Sequence, residues 1–370
     1  NLCFLEGANR SCSGGCIMTT VALVGMTAPH SKGWLATLQH LPECERLLVA
    51  DPDGGGQQDV PEDAEWVASI DDLLQGGLRP QMALISARND QSPGLGERFL
   101  QAGIACIIEK PCGRTSAEIE GLNAAAIAGG TIWAPAFMNR LLPVAQKARQ
   151  IISAGGLGKI VSVEGRMVTS TVAQRNPEHW LFDKRVAGGG ILHWLAIHTI
   201  DLIRYLTGLD YTSVGAHIGT LTRSDIDVED MAACSFQLSS GAVGSLHAGY
   251  VLRQRYGDIG LTVRGDLGEI EWPMWGHEGQ GRTIWVHEEG PASTGPGRQV
   301  IEMTPPDAPG YGGAAGQEFV RRFLAAARMG GGGHPRSDFI TDGTDALRAM
   351  QFVEAAYEAS ASGKHVVPGA

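Results

Sequence analysis

The stretch GGGILHWLAIHTID carries side chains that could do chemistry in an otherwise apolar run. Successive helical residues are 100° apart, so on a helix Trp194, His198, Asp201 and Tyr205 fall within an arc of about 60°. A histidine can take up or release a proton near neutral pH, and an aspartate one turn away can fix its tautomer. The pattern predicts a helix that lines a site, with His193 off the stripe as a structural residue. A core histidine bonded to Asp201 is the alternative interpretation.

A second candidate group, Glu109 and Lys110, ends the buried apolar run IACIIEKP. Side chains at the carboxyl ends of parallel strands face the ligand crevice of an open α/β sheet. A partly desolvated lysine there has a lowered pKa and can exchange a proton with a substrate hydroxyl. Lys110 is therefore a candidate for proton transfer, and Glu109 and Lys110 are expected to contact the cofactor. A surface ion pair between Glu109 and Lys110 is the alternative.

A dinucleotide site is predicted after the first strand, VALVG, although its glycine fingerprint is incomplete. The pattern G-x-G-x-x-G lets backbone N–H groups approach a pyrophosphate; here Gly25 is followed by Thr27 and His30 at the other two positions. Ser31 is expected to cap the next helix, whose N-terminus suits a phosphate. Asp51, at the end of the second strand, is expected to accept ribose hydroxyls. The alternative is a domain of this type that has lost its nucleotide.

The predicted cofactor is NAD, and NADP stays an alternative. Asp51 would repel a 2′-phosphate, and no arginine is close to it in the sequence. Ser86 and Asn89, in the loop after the fourth strand, complete the predicted cofactor contacts.

The elements that must position these residues divide the chain into two parts. From Thr19 to about Ala134, short buried strands alternate with helical stretches, which predicts a doubly wound parallel sheet. After Phe137 alternating strands dominate, with one helix near 191–206 and two late helices. The predicted fold class is α/β: an N-terminal doubly wound Rossmann domain over 18–137 and a C-terminal α+β domain over 138–370. The second domain carries a large, mostly antiparallel open sheet.

Composition limits the class of protein and its partners. The chain has 370 residues and a net charge of −11 with no long basic run, so no nucleic-acid partner is expected. No apolar run approaches the ~20 residues that span a bilayer, so no membrane partner is expected either. Residues 1–17 are interpreted as a non-native or upstream extension before Met18. Three of the seven cysteines lie in this extension. The remaining four are scattered along the chain, which fits a reducing cytoplasm and no disulfide framework.

Several further motifs occur in the order typical of one enzyme family. They are EKP at 109–111, Asn139-Arg140 before Pro143, Gly158-Lys159-Ile160, WLFD before GGG, and VRGDLGEIEW. Together they resemble the glucose–fructose oxidoreductase/inositol dehydrogenase family, written Gfo/Idh/MocA, over essentially everything after Met18. The resemblance implies a Rossmann domain joined to an open-sheet domain, a carbohydrate-like small-molecule substrate, and a homodimer or homotetramer formed through that sheet.

The resemblance also favours Lys110 and His198 as a catalytic pair, implies a substrate pocket, and shows where this chain departs from the family. The implied pocket residues are Asn139, Arg166, His179, Trp180, Trp194 and Asp201. Where relatives carry Asp and His four residues apart, this chain has Trp194 and His198, and the loop T-P-N-x-x-H reads ARNDQS. No carboxylate or cysteine in the helix completes a zinc ligand set, so no metal is predicted.

These observations predict an NAD(P)-dependent oxidoreductase. It transfers a hydride between a nicotinamide and a secondary alcohol or ketone of a sugar, cyclitol or related polyol. An NAD-dependent glycosidase or lyase with a transient redox step is one alternative. A non-catalytic sugar- or nucleotide-binding protein on the same fold is the other, because the glycine loop is altered and fold alone does not guarantee chemistry.

Overall fold

The first sheet is built from short, fully buried strands, as the β-branched runs predict. The computed structural model describes residues 19–75, 77–170, 175–252, 257–275, 281–288, 297–329 and 341–370, so the predicted extension at 1–17 lies outside the described residues. All six strands are parallel, in the order β3-β2-β1-β4-β5-β6. The strands are β1 (Thr20–Val24), β2 (Arg46–Ala50), β3 (Glu65–Trp66), β4 (Met82–Ile85), β5 (Ala105–Ile108) and β6 (Trp133–Pro135).

Helices connect these strands and cover both faces of the sheet. They are α1 (Ser31–Gln39), α2 (Ile70–Gln75), α3 (Ser92–Gln101) and α4 (Ser116–Gly129). Helix α4 shows why its boundaries fall where they do. The Thr115 side chain accepts the Glu118 N–H at its start, and Gly130 adopts the left-handed conformation that ends it. The strand order reverses between β1 and β4, and the crevice at such a switch point is where α/β sheets bind ligands.

The second sheet has eight strands in the order β14-β13-β12-β11-β7-β10-β9-β8, with β7 and β10 as its parallel pair. The remaining pairs are antiparallel, which confirms the predicted fold class. Its strands are β7 (Ile160–Thr169), β8 (Tyr211–Gly219), β9 (Met231–Leu238), β10 (Val243–Gly249), β11 (Gly257–Gly265), β12 (Gly268–Trp275), β13 (Thr283–Glu288) and β14 (Gln299–Glu302).

The helices of the C-terminal half lie between the two sheets or return to the first one. They are α5 (Pro143–Ser153), α6 (Lys184–Ala187), α7 (Ile197–Thr207), α8 (Gly313–Arg328) and α9 (Gly343–Ser362). Helix α8 inserts Phe319 and Phe323 into the core that also contains Trp34 of the first sheet's layer. The predicted domain boundary at residue 137 stays a prediction. Helix α8 belongs to the C-terminal half of the sequence but packs on the N-terminal half.

The segment that ends in α7 is the most deeply buried helical stretch. Residues Lys184–Thr207 are long and apolar enough to cross a membrane, but 83% of the most apolar window is buried inside the protein. The side chains of α7 cover the second sheet, where Thr199 and Ile203 approach Gly165 of β7. We therefore interpret the stretch as a core helix whose polar residues are placed by packing on every side.

Candidate active site

Gly25, directly after β1, lies at the centre of the predicted cofactor crevice. Its φ is +101°, and a Cβ there would stand 2.3 Å from the Ser86 carbonyl oxygen, so only glycine fits. Its N–H donates to the Ala50 carbonyl at 2.8 Å. The loop therefore passes close between the ends of β2 and β4, leaving the tight backbone turn that a dinucleotide requires. The residues present fit such a cofactor despite the two missing glycines.

Asp51 organises this crevice through its backbone contacts. Its Oδ2 accepts the Met26 N–H at 2.6 Å, and its Oδ1 accepts the N–H groups of Asp53 and Gly55 at 2.9 and 3.1 Å. The carboxylate thus ties the loop after β1 to the loop after β2. Each oxygen has a further lone pair, so contact with a ribose stays a prediction.

An arginine does lie near Asp51 in the folded protein. This corrects the argument for NAD, which used the absence of an arginine close to Asp51 in the sequence. Arg88, after β4, reaches across the crevice to Asp53 at 3.2 Å and also pairs with Asp90 at 3.1 Å. The sequence separation hid this contact because neighbouring strand ends meet only in the folded sheet. With two carboxylates as partners, the Arg88 charge is already balanced.

The expected helix cap at Ser31 is wrong. His30 occupies the N-cap position of α1 without a side-chain cap, and Ser31 is the first helical residue. The buried Ser31 hydroxyl donates to the Ser86 carbonyl at 3.0 Å and lies 3.1 Å from the Ser86 hydroxyl. Both serines therefore hold the loops after β1 and β4 together. Thr27 is exposed at the tip of its loop, and its predicted cofactor contact stays a prediction.

Glu109 is not part of a surface ion pair. It is buried at the end of β5, where Trp34 Nε1 donates to Oε2 at 2.6 Å and His30 Nδ1 lies 3.2 Å from Oε1. Burial alone would raise the pKa of Glu109, but His30, Lys110 and Trp34 lower it below its ordinary value. The His30 ring also stacks on Tyr311, with centroids 4.1 Å apart.

Lys110 extends from the end of β5 toward the helical segment before α7. Its side chain is 2% exposed, Nζ donates to the Trp194 carbonyl at 2.9 Å, and Nζ lies 4.9 Å from the Trp194 ring centroid. Burial lowers the pKa of Lys110 to about 8, although Glu109 opposes the shift. A lysine with this pKa exchanges protons readily near neutral pH.

A π-helical turn, Leu192–Ala196, precedes α7 and was not expected from the sequence. Such turns shift the backbone hydrogen-bond ladder by one residue and occur often at functional sites. The Trp194 carbonyl, within this turn, is the acceptor for Lys110. The 100° spacing assumed from the sequence therefore does not hold across the stripe.

His198 lies close to Lys110 but has lost its predicted partner. Its Nδ1 is buried and has no hydrogen-bond partner, and its ring meets Phe137 edge-on at 6.2 Å. Burial lowers the pKa of His198 well below its ordinary value, and Lys110 and His30 add to the effect. A neutral imidazole at this place can donate or accept one hydrogen bond from a ligand.

Asp201 does not bond His198. The structure also corrects its predicted place in the substrate pocket. Arg140 donates to it from two guanidinium nitrogens, Nε at 2.9 Å and Nη2 at a shorter distance, and a third hydrogen bond, from Arg140 Nη1, reaches Asp345 at 2.9 Å. Asp201 is 1% exposed, so its carboxylate faces this network and not the crevice. The physical reason is charge pairing: a buried carboxylate needs a cation, and Arg140 supplies it.

Three side chains from the chain between β7 and α6 form a wall beside Trp194, which Arg175 contacts directly. His179 accepts the Leu181 N–H at 3.2 Å and stacks on Trp180, whose Nε1 is buried without a partner. Arg175, which the sequence analysis missed, lies over the Trp194 ring at 5.2 Å. Burial, followed by the Arg175 charge, lowers the pKa of His179. Contacts of His179, Trp180 and Trp194 with a substrate stay predictions.

The remaining predicted residues lie at or beyond the edge of this site. Arg166 is half-buried on β7 and pairs with Asp258 at 3.0 Å, and its predicted substrate contact stays a prediction. Asn89 donates from its amide to the Ala187 carbonyl at 2.7 Å and so links the two halves of the chain. Asn139 is partly exposed after β6. Ligand contacts of Asn89 and Asn139 stay predictions.

His193 provides a test of the structural role expected for it. It is fully buried with Nε2 3.1 Å from the Gly113 carbonyl, and burial lowers its pKa to about 4. We expect His193→Ala to lower the free energy of unfolding by about 1–3 kcal/mol, because a cavity forms and a carbonyl loses its partner. Denaturant titration measures this loss, and turnover within about threefold of the parent would confirm that the residue is structural.

The family comparison agrees with this geometry. The family model described as an oxidoreductase family with an NAD-binding Rossmann fold matches residues 19–137, and the Gfo/Idh/MocA C-terminal domain matches residues 145–271. The chain belongs to the Gfo/Idh/MocA oxidoreductase family. Membership confirms the resemblance seen in the sequence and the predicted class of an NAD(P)-dependent oxidoreductase.

Several curated relatives of the chain are dehydrogenases. It is 30% identical to scyllo-inositol 2-dehydrogenase (NAD(+)) of Bacillus subtilis over 65% of this chain and 69% of that protein. It is 29% identical to levoglucosan dehydrogenase of Pseudarthrobacter phenanthrenivorans over 46% of this chain, and the match spans 49% of that protein. A structure of levoglucosan dehydrogenase with NADH and levoglucosan superposes with a TM-score of 0.78 at 22% identity, covering 95% and 99% of the two chains.

Proposed function

We propose that the protein oxidises or reduces a secondary alcohol or ketone of a sugar, cyclitol or related polyol, with NAD as its cofactor. The observation that carries the proposal is Lys110, a buried lysine with a pKa of about 8 at the end of β5. It sits at the carboxyl edge of the first sheet, where the crevice of such a fold binds its ligands. The inositol and levoglucosan dehydrogenases among its relatives support the polyol substrate.

The chain's own residues handle the proton and the orientation of the substrate. In oxidation Lys110 Nζ takes the hydroxyl proton of the substrate. NAD, when bound, would supply the acceptor for the hydride that leaves the same substrate carbon. In reduction the same amine returns the proton. Neutral His198 holds the reacting oxygen by one hydrogen bond, and the Trp194 ring supplies an apolar face for a sugar ring. Trp34 and His30 keep Glu109 ionised beside Lys110.

A panel of hexoses, cyclitols and anhydrosugars, each mixed with NAD and the purified protein, tests this function by the absorbance of NADH. Turnover that disappears in the Lys110→Met variant supports the proposal. Release of a glycosidic leaving group without net NADH would favour the glycosidase or lyase. Ligand binding without any turnover would favour the non-catalytic protein.

Cofactor preference gives a separate prediction. Asp51 is expected to face the adenosine ribose, and Arg88 is already balanced by Asp53 and Asp90, so nothing offsets repulsion of a 2′-phosphate. We expect NADH to bind at least about tenfold more tightly than NADPH, a difference of about 1.4 kcal/mol. Asp51→Asn should narrow the ratio. Titration by quenching of protein fluorescence measures both constants, and tighter NADPH binding by the parent would contradict the assignment.

We also propose that the protein is a homo-oligomer of the cytoplasm. The outer face of the second sheet exposes Ala233, Ser235 and His247, and it supports a homodimer or homotetramer formed through that face. Light scattering after gel filtration tests the state. The described cysteines are free thiols, which fits the cytoplasm as the place of action.

A further inference from the structure

Arg175 is a cation in the active-site crevice, and no carboxylate of the described residues forms an ion pair with it. Its guanidinium lies 5.2 Å from the Trp194 ring centroid, and its Nε is buried without a hydrogen-bond partner. Partial burial lowers the pKa of Arg175, and the nearby Tyr250 hydroxyl opposes the shift, yet a guanidinium stays charged at neutral pH. A buried N–H of a charged group that is left unpaired is costly, so the position calls for an acceptor.

Two buried carboxylates of the site, Glu109 and Glu229, already bind other groups. Glu109 binds Trp34 and faces His30. Glu229 accepts the backbone N–H groups of Gly190 and Leu192 at 2.7 and 3.0 Å and the Tyr357 hydroxyl at 2.9 Å. Neither reaches Arg175 with a hydrogen bond or an ion pair among the described contacts. We therefore expect a ligand to supply the acceptor for Arg175.

Other buried or half-buried arginines of the described chain show what a structural arginine looks like here. Arg140 pairs with Asp201 and Asp345, and Arg204 pairs with Asp210 and Asp345. If Arg175 had only a structural role, we would expect a carboxylate of the protein to pair with it in the same way.

Arg175 also affects Lys110, the predicted proton-transfer residue, and His179 of the predicted substrate pocket. Its charge lowers the pKa of both Lys110 and His179, so its field reaches the centre of the crevice. Lys110 must lose its proton to act as a base, and His179 is neutral above its lowered pKa. Arg175 is then the fixed positive charge of this wall, next to an aromatic face that suits a sugar ring.

We propose that Arg175 recognises a carboxylate on the substrate, which makes the preferred substrate a sugar acid such as a hexuronate. The inference rests on the proposed polyol oxidoreductase and names its substrate class. In this arrangement the sugar ring of the substrate packs against Trp194, and its reacting hydroxyl binds Lys110. The carboxylate of the substrate pairs with the planar guanidinium of Arg175. A single guanidinium matches the single charge of a carboxylate, whereas a phosphate dianion would call for a second cation or a helix N-terminus.

Binding and turnover are measured on matched pairs that differ only in the anion. The pairs are D-glucuronate with D-glucose, D-galacturonate with D-galactose, and D-mannuronate with D-mannose. Calorimetric titration into the protein saturated with NADH gives affinities without requiring chemistry. We expect one uronate to bind about 10- to 100-fold more tightly than its hexose, the range of a charge-assisted hydrogen bond. Arg175→Gln should remove that preference, and Arg175→Lys should keep part of it.

Arg185→Gln is the matched control, because Arg185 is on the same segment but is 86% exposed and paired with Asp183 at 2.8 Å. It should leave the uronate preference unchanged. The inference is overturned if every hexose binds as tightly as its uronate, if Arg175→Gln weakens both members of a pair equally, or if hexose 6-phosphates and not uronates depend on Arg175. Arg175-dependent uronate binding without any NADH-linked turnover would keep the inference and reject the proposed oxidoreductase.

Discussion

Replacing Lys110 with methionine is expected to lower turnover by about 10²- to 10⁴-fold, the usual contribution of a positioned proton-transfer group. Methionine keeps most of the buried volume, so NADH affinity should change little. The variant should also be somewhat less stable than the parent at pH 7, because Glu109 stays buried with one compensating charge fewer and the Trp194 carbonyl loses its donor. Steady-state kinetics and denaturant titration measure the two effects on the same preparation.

The dependence of turnover on pH follows from the lowered pKa of Lys110. Oxidation needs the neutral amine, so kcat/KM for the alcohol should rise with pH and level off above about 8. Reduction needs the ammonium, so kcat/KM for the ketone should fall as pH rises through the same value. Profiles in both directions on one substrate pair check the sign.

Two further variants distinguish proton transfer from packing. Lys110→Arg keeps a positive charge but cannot lose its proton near neutral pH, so oxidation should stay as slow as in the methionine variant. Lys32→Met is the matched control, because Lys32 is 69% exposed and pairs with Asp59 at 2.9 Å. Near-normal turnover in Lys110→Met would reject Lys110 as the catalytic base.

The sequence was sufficient to predict the two sheets, because each depends on local periodicity. Short buried runs such as VALVG and IACIIEKP predicted a parallel sheet, and the alternating strands after Phe137 predicted a mostly antiparallel one. Lys110 was predictable for the same reason: it directly follows a buried strand of a parallel sheet. The order of the strands in each sheet was not predicted, since it is set by pairing between distant parts of the chain.

The contacts within the site were less predictable, because they join distant parts of the chain. His198 and Asp201 are one turn apart, but Asp201 bonds Arg140, 61 residues away in sequence. Tyr311 reaches His30 from the far end of the chain, and Arg175 comes from the segment after β7. The π-helical turn adds a residue to the helical repeat, which no hydrophobic periodicity records.

The buried pair Arg140–Asp201 should carry the largest stability effect in the molecule. Both side chains are nearly inaccessible, at 5% and 2% exposed, and Arg140 also holds Asp345 at the start of α9. Burial alone would lower the pKa of Arg140, but the two carboxylates raise it above its ordinary value. Removing one partner of a buried pair leaves the other charge uncompensated, which typically costs about 3–5 kcal/mol. We expect Arg140→Met to lower the free energy of unfolding by that amount.

The pH dependence and a double variant test the cause of this loss. Burial raises the pKa of Asp201 to about 6 even though Arg140 lowers it, so without Arg140 the pKa must rise further. A carboxyl whose folded pKa exceeds its unfolded value loses stability as pH rises through the folded pKa. Arg140→Met should therefore be more destabilised at pH 8 than at pH 5. Asp201→Asn added to Arg140→Met removes the buried charge and should recover part of the loss at pH 8. Equal destabilisation at both pH values, with no recovery in the double variant, would mean that Arg140 stabilises the fold through packing alone.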